Sequence, residues 1–271
     1  MPAWPTHPAF AAPPDRLGLT DGDRVELPEP QSPLHAQWLD QATAMRGTRP
    51  EAMQLKDAAK LERALRAQTG LLGSARTIGI YGAAGSGRTS VLLGLAAALR
   101  KVGETVAILD ADLAAPSLRR RMDCTAAPLV VGGLVLPYIA QGMRLQGLDA
   151  FWPQPGPLPW QGRELGRVLE RYREDVLWAQ PDFLLIDLPP LGDPRLDEVA
   201  AFFDGERVLV QGALTTAVAG PPAAFTVRNA AQGPGDVAIP YVGAGDLSET
   251  LSTLFLPLAS ALGAKGSGSR S

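Results

Sequence analysis

Cysteine is almost absent from this 271-residue sequence, with Cys124 the single one, and His7 and His35 are its only histidines. One thiol excludes an internal disulfide and any all-cysteine metal cage within one chain, and two histidines leave few alternative ligands. A surplus of basic charge is also missing: 25 Lys+Arg stand against 28 Asp+Glu for a net charge of -3, which provides no overall field to recruit nucleic acid. There is no run of about 18 apolar residues to cross a membrane. The start, "MPAWPTHPAF", lacks the charged-then-apolar order of a secretory signal, so the expected location is the cytoplasm. Aromatics make up 6% of the chain, yet hydrophobic residues reach 46%, enough to fill the core of an enzyme-sized body.

What the sequence does contain is unevenly distributed. Nine prolines fall in the first fifty residues and fix backbone angles wherever a helix or strand might begin, so residues 1–49 read as a largely irregular arm, with a short docking helix possible in "SPLHAQWLDQATAM". Residues 50–68 are rich in helix formers, with Leu55, Ala58, Leu61 and Leu65 at helical spacing, which predicts a helix leading into an α/β domain over 50–262. The final segment, 263–271, is a flexible tail by composition.

Between these, short β-rich runs alternate with helical stretches. "RTIGIYG", "ETVAILDAD", "GMRLQGL", "PDFLLIDLPP" and "ERVLVQGA" read as strands. "GRTSVLLGLAAALRKVG", "PSLRRRM", "GRELGRVLERYREDVLWAQ" and "PRLDEVAAFF" read as helices. "AVAGPPAAFTVRNAA" is also read as a helix, "DVAIPYVGAG" as a strand or edge segment, and "SETLSTLFLPLASAL" as a helix capped by Ser248 and kinked at Pro257. Apolar strands alternating with helices predict a doubly wound α/β fold, a mainly parallel sheet with helices on both faces.

The chemistry concentrates in "IYGAAGSGRTS". A phosphate chain needs several backbone amides converging on it, hence glycines for close approach and a following helix N-terminus for its dipole. Gly82-x-x-x-x-Gly87-Arg88-Thr89 matches the phosphate-loop spacing with arginine for lysine, and it lies between a predicted strand and a predicted helix. Asp110 and Asp112 end one strand and Asp187 another, at the sheet edge where ligands bind in such folds. Magnesium prefers a loop hydroxyl, for which Thr89 is placed, and a carboxylate, for which Asp187 is placed.

These residues carry a resemblance. "GAAGSGRTSVLLGLAAALRKVGETVAILDADLAAPSL", "WQG…EDVLW" and "LLIDLPPLGD" resemble the D-A-D-x-x-x-P-S, W-R-G…E-D-V-x-W and L-L-I-D-x-P-P-G-T-G-D motifs of the Mrp/ApbC group, in the MinD/ParA class of P-loop ATPases, whose members include iron-sulfur cluster carriers. The similarity runs from about Thr77 to Ala213, roughly half the chain. It implies ATP contacts from Gly82, Ala83, Ala84, Gly85, Ser86, Gly87, Arg88, Thr89 and Ser90. It further implies magnesium at Thr89 with Asp187, a switch or metal role for Asp110, an attacking-water role for Asp112, and a homodimer.

The departures are equally specific. Ala83 replaces a first lysine that reaches the partner's nucleotide, Arg88 replaces the second, and Leu191 replaces a glycine whose amide could meet the γ-phosphate. The C-x-x-C of cluster carriers is missing, which sets the expectation against an iron-sulfur cluster. The sequence reading is therefore a nucleotide-dependent switch or slow ATPase. The alternative is a pseudo-ATPase scaffold that recruits protein partners through the N-terminal arm; a DNA-partition role would want a basic patch. Cys124 after Arg119, Arg120 and Arg121 is either an activated thiol or an inert buried one, and Trp152, Trp160 and Trp178 read as packing residues.

Overall fold

The computed structural model describes residues 24–26, 52–54, 72–124, 129–131, 134–152, 156–212, 220–229 and 249–263. In chain order these form β1 (Arg24–Glu26), β2 (Ala52–Gln54), β3 (Arg76–Gly82), α1 (Arg88–Lys101), β4 (Val106–Asp110) and α2 (Leu118–Arg121). There follow β5 (Leu129–Val131), β6 (Leu134–Leu136), β7 (Tyr138–Ala140), β8 (Met143–Gly147) and a 3-10 turn at Leu148–Phe151. The rest are α3 (Arg163–Glu174), β9 (Phe183–Asp187), α4 (Leu196–Phe203), β10 (Glu206–Gly212), β11 (Phe225–Asn229) and α5 (Glu249–Ala261).

Seven strands make one sheet in the order β11-β10-β3-β9-β4-β8-β7, parallel throughout except for β7, which runs antiparallel to β8. The central strands β4 and β9 are buried at every residue, as expected where both faces are covered, and this is why they read as continuous apolar runs. Period-two alternation divides their side chains between two cores. Ile78, Ile80, Ile108, Leu185, Val208 and Val210 join α1 and α5, whereas Leu109, Leu184 and Ile186 join α3 and α4 on the opposite face. The predicted doubly wound, mainly parallel α/β architecture is the one observed.

Helix α1 is buried continuously from Ser90 to Leu99 because α5 covers its outer side. The two helices meet at Gly94, where an added Cβ would lie 2.2 Å from the Phe255 ring. Gly94→Ala is therefore expected to lower stability by about 2 kcal/mol through overpacking, read as an earlier thermal midpoint; an unchanged midpoint would mean that the ring simply turns aside.

Several local expectations are corrected. "AVAGPPAAFTVRNAA" does not contain a helix at its end: Phe225–Asn229 is strand β11, paired in parallel with Val208–Gly212. Thr226 and Val227 are β-branched, and the exposed edge of β10 offers the ladder that makes the extended form better. The helix expected over residues 162–180 stops at Glu174; beyond Asp175, Leu177 donates its amide to Val135 O and Val176 bridges to Val135, an extended pairing. Residues 52–54, within the helix predicted over 50–68, are strand β2, antiparallel to β1; the rest of that segment lies outside the described residues, as do "DVAIPYVGAG", Ser248 and the tail after residue 263. The β7–β8 hairpin was not anticipated. Its two-residue turn, Gln141 (φ 50) and Gly142 (φ 73), has both residues in the left-handed region that suits the strand twist.

Candidate functional site

Strands β3, β9 and β4 are neighbours, and their carboxyl ends deliver Gly82, Asp187 and Asp110 to one edge of the sheet. The loop after β3 turns sharply at Gly85 (φ 76) and Gly87 (φ 92), both left-handed positions that glycine occupies without strain. Gly82 is required for a different reason: a Cβ there would sit 2.3 Å from the Val210 carbonyl oxygen and 2.8 Å from Ser86 Oγ. The Ser86 amide closes the loop onto Ala83 O at 3.1 Å, and the Asn229 side chain at the end of β11 donates to Ser86 O at 2.9 Å. Asn229 is a loop-shaping residue that sequence reading missed; only the recognition of β11 as a neighbouring parallel strand would have found it.

Helix α1 starts immediately after this loop with Gly87 as its cap and no side chain capping it. Its first intrahelical bond is Val91 N to Gly87 O, so the amides of Arg88, Thr89 and Ser90 are the terminal donors that a helix leaves unpaired. They carry the positive end of the dipole toward the loop, an arrangement suited to phosphate oxygens. Ser86 Oγ is buried without a hydrogen-bond partner in the same loop.

The carboxylates surround this cradle. Thr89 Oγ1 donates to Asp187 Oδ2 at 2.7 Å, while the other oxygen, Asp187 Oδ1, is buried with no hydrogen-bond partner. Burial pushes the Asp187 carboxyl up to about 6, with Arg88 and the Thr89 hydroxyl pulling in the other direction. An orphaned, buried carboxylate oxygen beside a hydroxyl is the donor chemistry a hard divalent cation prefers, so these two residues fit magnesium.

Asp110 is differently engaged. Its Oδ2 accepts the amides of Ser117 and Leu118, each at 2.8 Å, and its Oδ1 accepts that of Asp112 at 3.2 Å. It therefore organises the loop leading into α2. Burial, and then the nearby Asp187, hold its carboxyl well above the ordinary range.

Asp112 Oδ1 accepts the amides of Ala114 and Ala115, each at 3.0 Å. Its Oδ2 meets Arg88 Nη2 at 2.7 Å, with both side chains below one tenth exposed. The other arm of the guanidinium, Nη1, donates to Leu188 O, directly after Asp187. Arg88 thus bridges the loops after β4 and β9.

Leu191, the substituted glycine position, donates its amide to Gly82 O at 2.9 Å and so ties the loop after β9 to the phosphate-type loop. Beside it, Arg195 grips Asp193 with Nε at 2.9 Å and Nη2 at 2.7 Å and reaches Leu158 O at 2.7 Å. Leu158 N in turn donates to Leu113 O at 2.8 Å, which joins the loops after β4 and β9 a second time. Neither Asp193 nor Arg195 was singled out from the sequence.

Cys124 lies apart from this edge. Its thiol is buried, bonded to Met122 O at 3.3 Å, and pushed up to about 11 by burial, so it is the inert alternative. Arg119 pairs with Asp149 at 3.2 Å and lies over the Tyr138 ring. The tryptophans pack as expected: Trp152 and Trp160 meet edge to face, and Trp178 Nε1 donates to Tyr172 O at 2.9 Å.

The family model described as ParA, NUBPL iron-transfer P-loop NTPase matches residues 76–222, more than half of the chain. The chain belongs to this family. Curated relatives of this P-loop NTPase include the iron-sulfur cluster carrier protein of Mycobacterium tuberculosis (strain ATCC 25618 / H37Rv), 35% identical over 130 residues, which are 48% of this chain and 34% of the relative. Another is the iron-sulfur cluster carrier protein of Bacillus subtilis (strain 168), 32% identical over 117 residues, 43% of this chain and 33% of that protein. The chain thus spans about a third of the length of these relatives. A solved nucleotide-binding protein in complex with ADP from Archaeoglobus fulgidus is similar at 23% identity over 57% of this chain and 61% of its own, with a TM-score of 0.45. The relatives' names run against the expectation that an iron-sulfur cluster plays no part. Among the described residues, no helix is long and apolar enough to cross a membrane, and no group of three or more His, Cys, Asp or Glu side chains forms a ready metal site.

Proposed function

We propose that this P-loop NTPase binds ATP with magnesium and works as a nucleotide-dependent switch with little turnover. The observation that carries the reading is the convergence of an uncapped helix N-terminus, the Thr89–Asp187 pair and the buried Arg88–Asp112 pair on one sheet edge. The amides of the 82–89 loop, from Gly82 through Thr89 and on to Ser90, would take the phosphates. Thr89 and Asp187 would hold magnesium, which would supply charge neutralisation at the phosphate oxygens. Asp112 would orient a water. Asp110, named from sequence as a switch or metal residue, would serve by fixing the loop that carries Asp112, since three backbone amides already engage its oxygens.

Low turnover follows from the pairing of Asp112. A carboxylate that must orient water is held here by a guanidinium, and the altered loop at Ala83 removes the cross-subunit lysine that the family uses. The same pairing favours the second reading, a pseudo-ATPase that keeps the fold as a scaffold. In either case the working form would be a homodimer in the cytoplasm, with the N-terminal arm as the docking element for other proteins. An iron-sulfur cluster would be cargo handled with a partner, because the one thiol in this sequence, Cys124, is buried and kept protonated.

Titration of the purified chain with a fluorescent ATP analogue, with and without magnesium, tests the proposal. Saturable, magnesium-strengthened binding is expected, with Thr89→Ala losing the magnesium effect, and slow phosphate release that Asp112→Ala abolishes. Binding with no release in either protein would favour the scaffold, and no saturable binding would remove the switch.

A further inference from the structure

We infer that the Arg88 side chain fills the seat a third phosphate would need, and that it makes the site selective for nucleoside diphosphates over triphosphates. This rests on the nucleotide-binding reading above. The seat of the first phosphates is set by the loop amides and the N-terminus of α1. A further phosphate extends from there toward Asp187 and Asp112, because the metal-linked carboxylate and the water-orienting group flank the terminal phosphoryl group in any in-line transfer. In this structure that interval contains the Arg88 guanidinium, one arm on Asp112 Oδ2 at 2.7 Å and the other on Leu188 O. A lysine at this position would present a compact ammonium that can lie along a phosphate chain. Arginine's planar fork is instead held at both arms by protein acceptors, across the interval between Asp112 and Leu188 O.

Charge leads to the same conclusion. Asp110, Asp112 and Asp187 are all buried at this edge, and Arg88 is already paired with one of them. Arg195, whose charge also reaches Asp112, is clamped to Asp193 by two side-chain bonds. Neither Arg88 nor Arg195 can therefore turn to an added phosphate without giving up a carboxylate partner, and the shorter chain is favoured. Admission of a triphosphate requires Arg88 to leave both acceptors, which lowers its apparent affinity by the fraction of molecules in which Arg88 has moved.

The test is calorimetric titration of the full chain with ADP and with a non-hydrolysable ATP analogue, both with magnesium. The wild type should bind the diphosphate tighter by about tenfold or more. Arg88→Lys, which keeps the charge and gives up the fork, should bring the ratio of the two affinities close to one. The double variant Arg88→Ser/Asp112→Asn removes both charges without stranding either and should do the same, so a folding failure of one protein leaves the other to decide. Equal or tighter triphosphate binding by the wild type, or a ratio that neither variant changes, would overturn the inference while leaving nucleotide binding standing. Binding of neither nucleotide by any of the proteins would instead bring down the nucleotide-binding reading and this inference with it.

Discussion

Asparagine at position 187 is expected to raise the thermal midpoint of the nucleotide-free protein by about 5 °C while removing the magnesium dependence of nucleotide binding. Asp187 is 1% exposed, has one oxygen bonded to Thr89 and the other without a partner, and its carboxyl is pushed up to about 6 from an ordinary 3.8, chiefly by burial. A shift of that size corresponds to roughly 3 kcal/mol against the charged form, of which an amide should recover about half, since it too is buried. The Thr89 bond survives, because the asparagine oxygen still accepts it.

The sign of the pH effect follows. A carboxyl whose folded value is raised holds its proton more tightly in the native chain than in the unfolded one, so the free protein gains stability as pH falls from 7 through 6 toward 4 and loses it again as pH rises. Asp110, also raised by burial, acts in the same direction. Thermal melts of wild type and Asp187→Asn at pH 5 and pH 7.5 should show a smaller difference between the two pH values in the variant. Magnesium binding near pH 6 should release protons in the wild type and none in the variant. A variant that melts lower at neutral pH would show that the Asp187 charge stabilises the resting protein, contrary to this account.

Much of this arrangement was legible in the residues. Alternating apolar runs placed the central strands correctly, because strands buried on both faces have no other pattern available, and the glycine spacing located the phosphate-type loop. Asp110, Asp112 and Asp187 could be assigned to one sheet edge because parallel connectivity puts all strand C-termini on the same side. What could not be read was the set of long-range choices. Phe225–Asn229 is a strand only because β10 presents an open edge, and the same residues lack strong helix-breaking signals of their own apart from the prolines before them. Asn229 reaches the loop as a consequence of that pairing. The direction of the Arg88 fork depends on two acceptors, Asp112 and Leu188 O, lying 24 and 100 residues away in sequence, and spacing carries no information about such an encounter.

Methionine at position 88 should be the most damaging single change at the site, lowering stability by about 3 kcal/mol. It would strand the Asp112 carboxylate, less than one tenth exposed, with the amides of Ala114 and Ala115 as its remaining hydrogen-bond donors, and would leave Leu188 O without its guanidinium donor. Breaking a buried pair from one side costs far more than removing it whole, so Asp112→Asn introduced into Arg88→Met should restore stability instead of reducing it further. Asparagine retains an oxygen for Ala114 and Ala115 and removes the unpaired charge. Urea unfolding of the two single variants and the double variant would give a coupling of about 2 kcal/mol, and one that persists at high salt, because screening acts weakly on a pair with so little contact with solvent. Additive losses would mean that Arg88 and Asp112 contribute separately and that the bridge between the two loops carries no energy of its own. A restored double variant would show that this arginine acts first as the structural cation of the sheet edge, which is the condition for it to stand where phosphate would otherwise go.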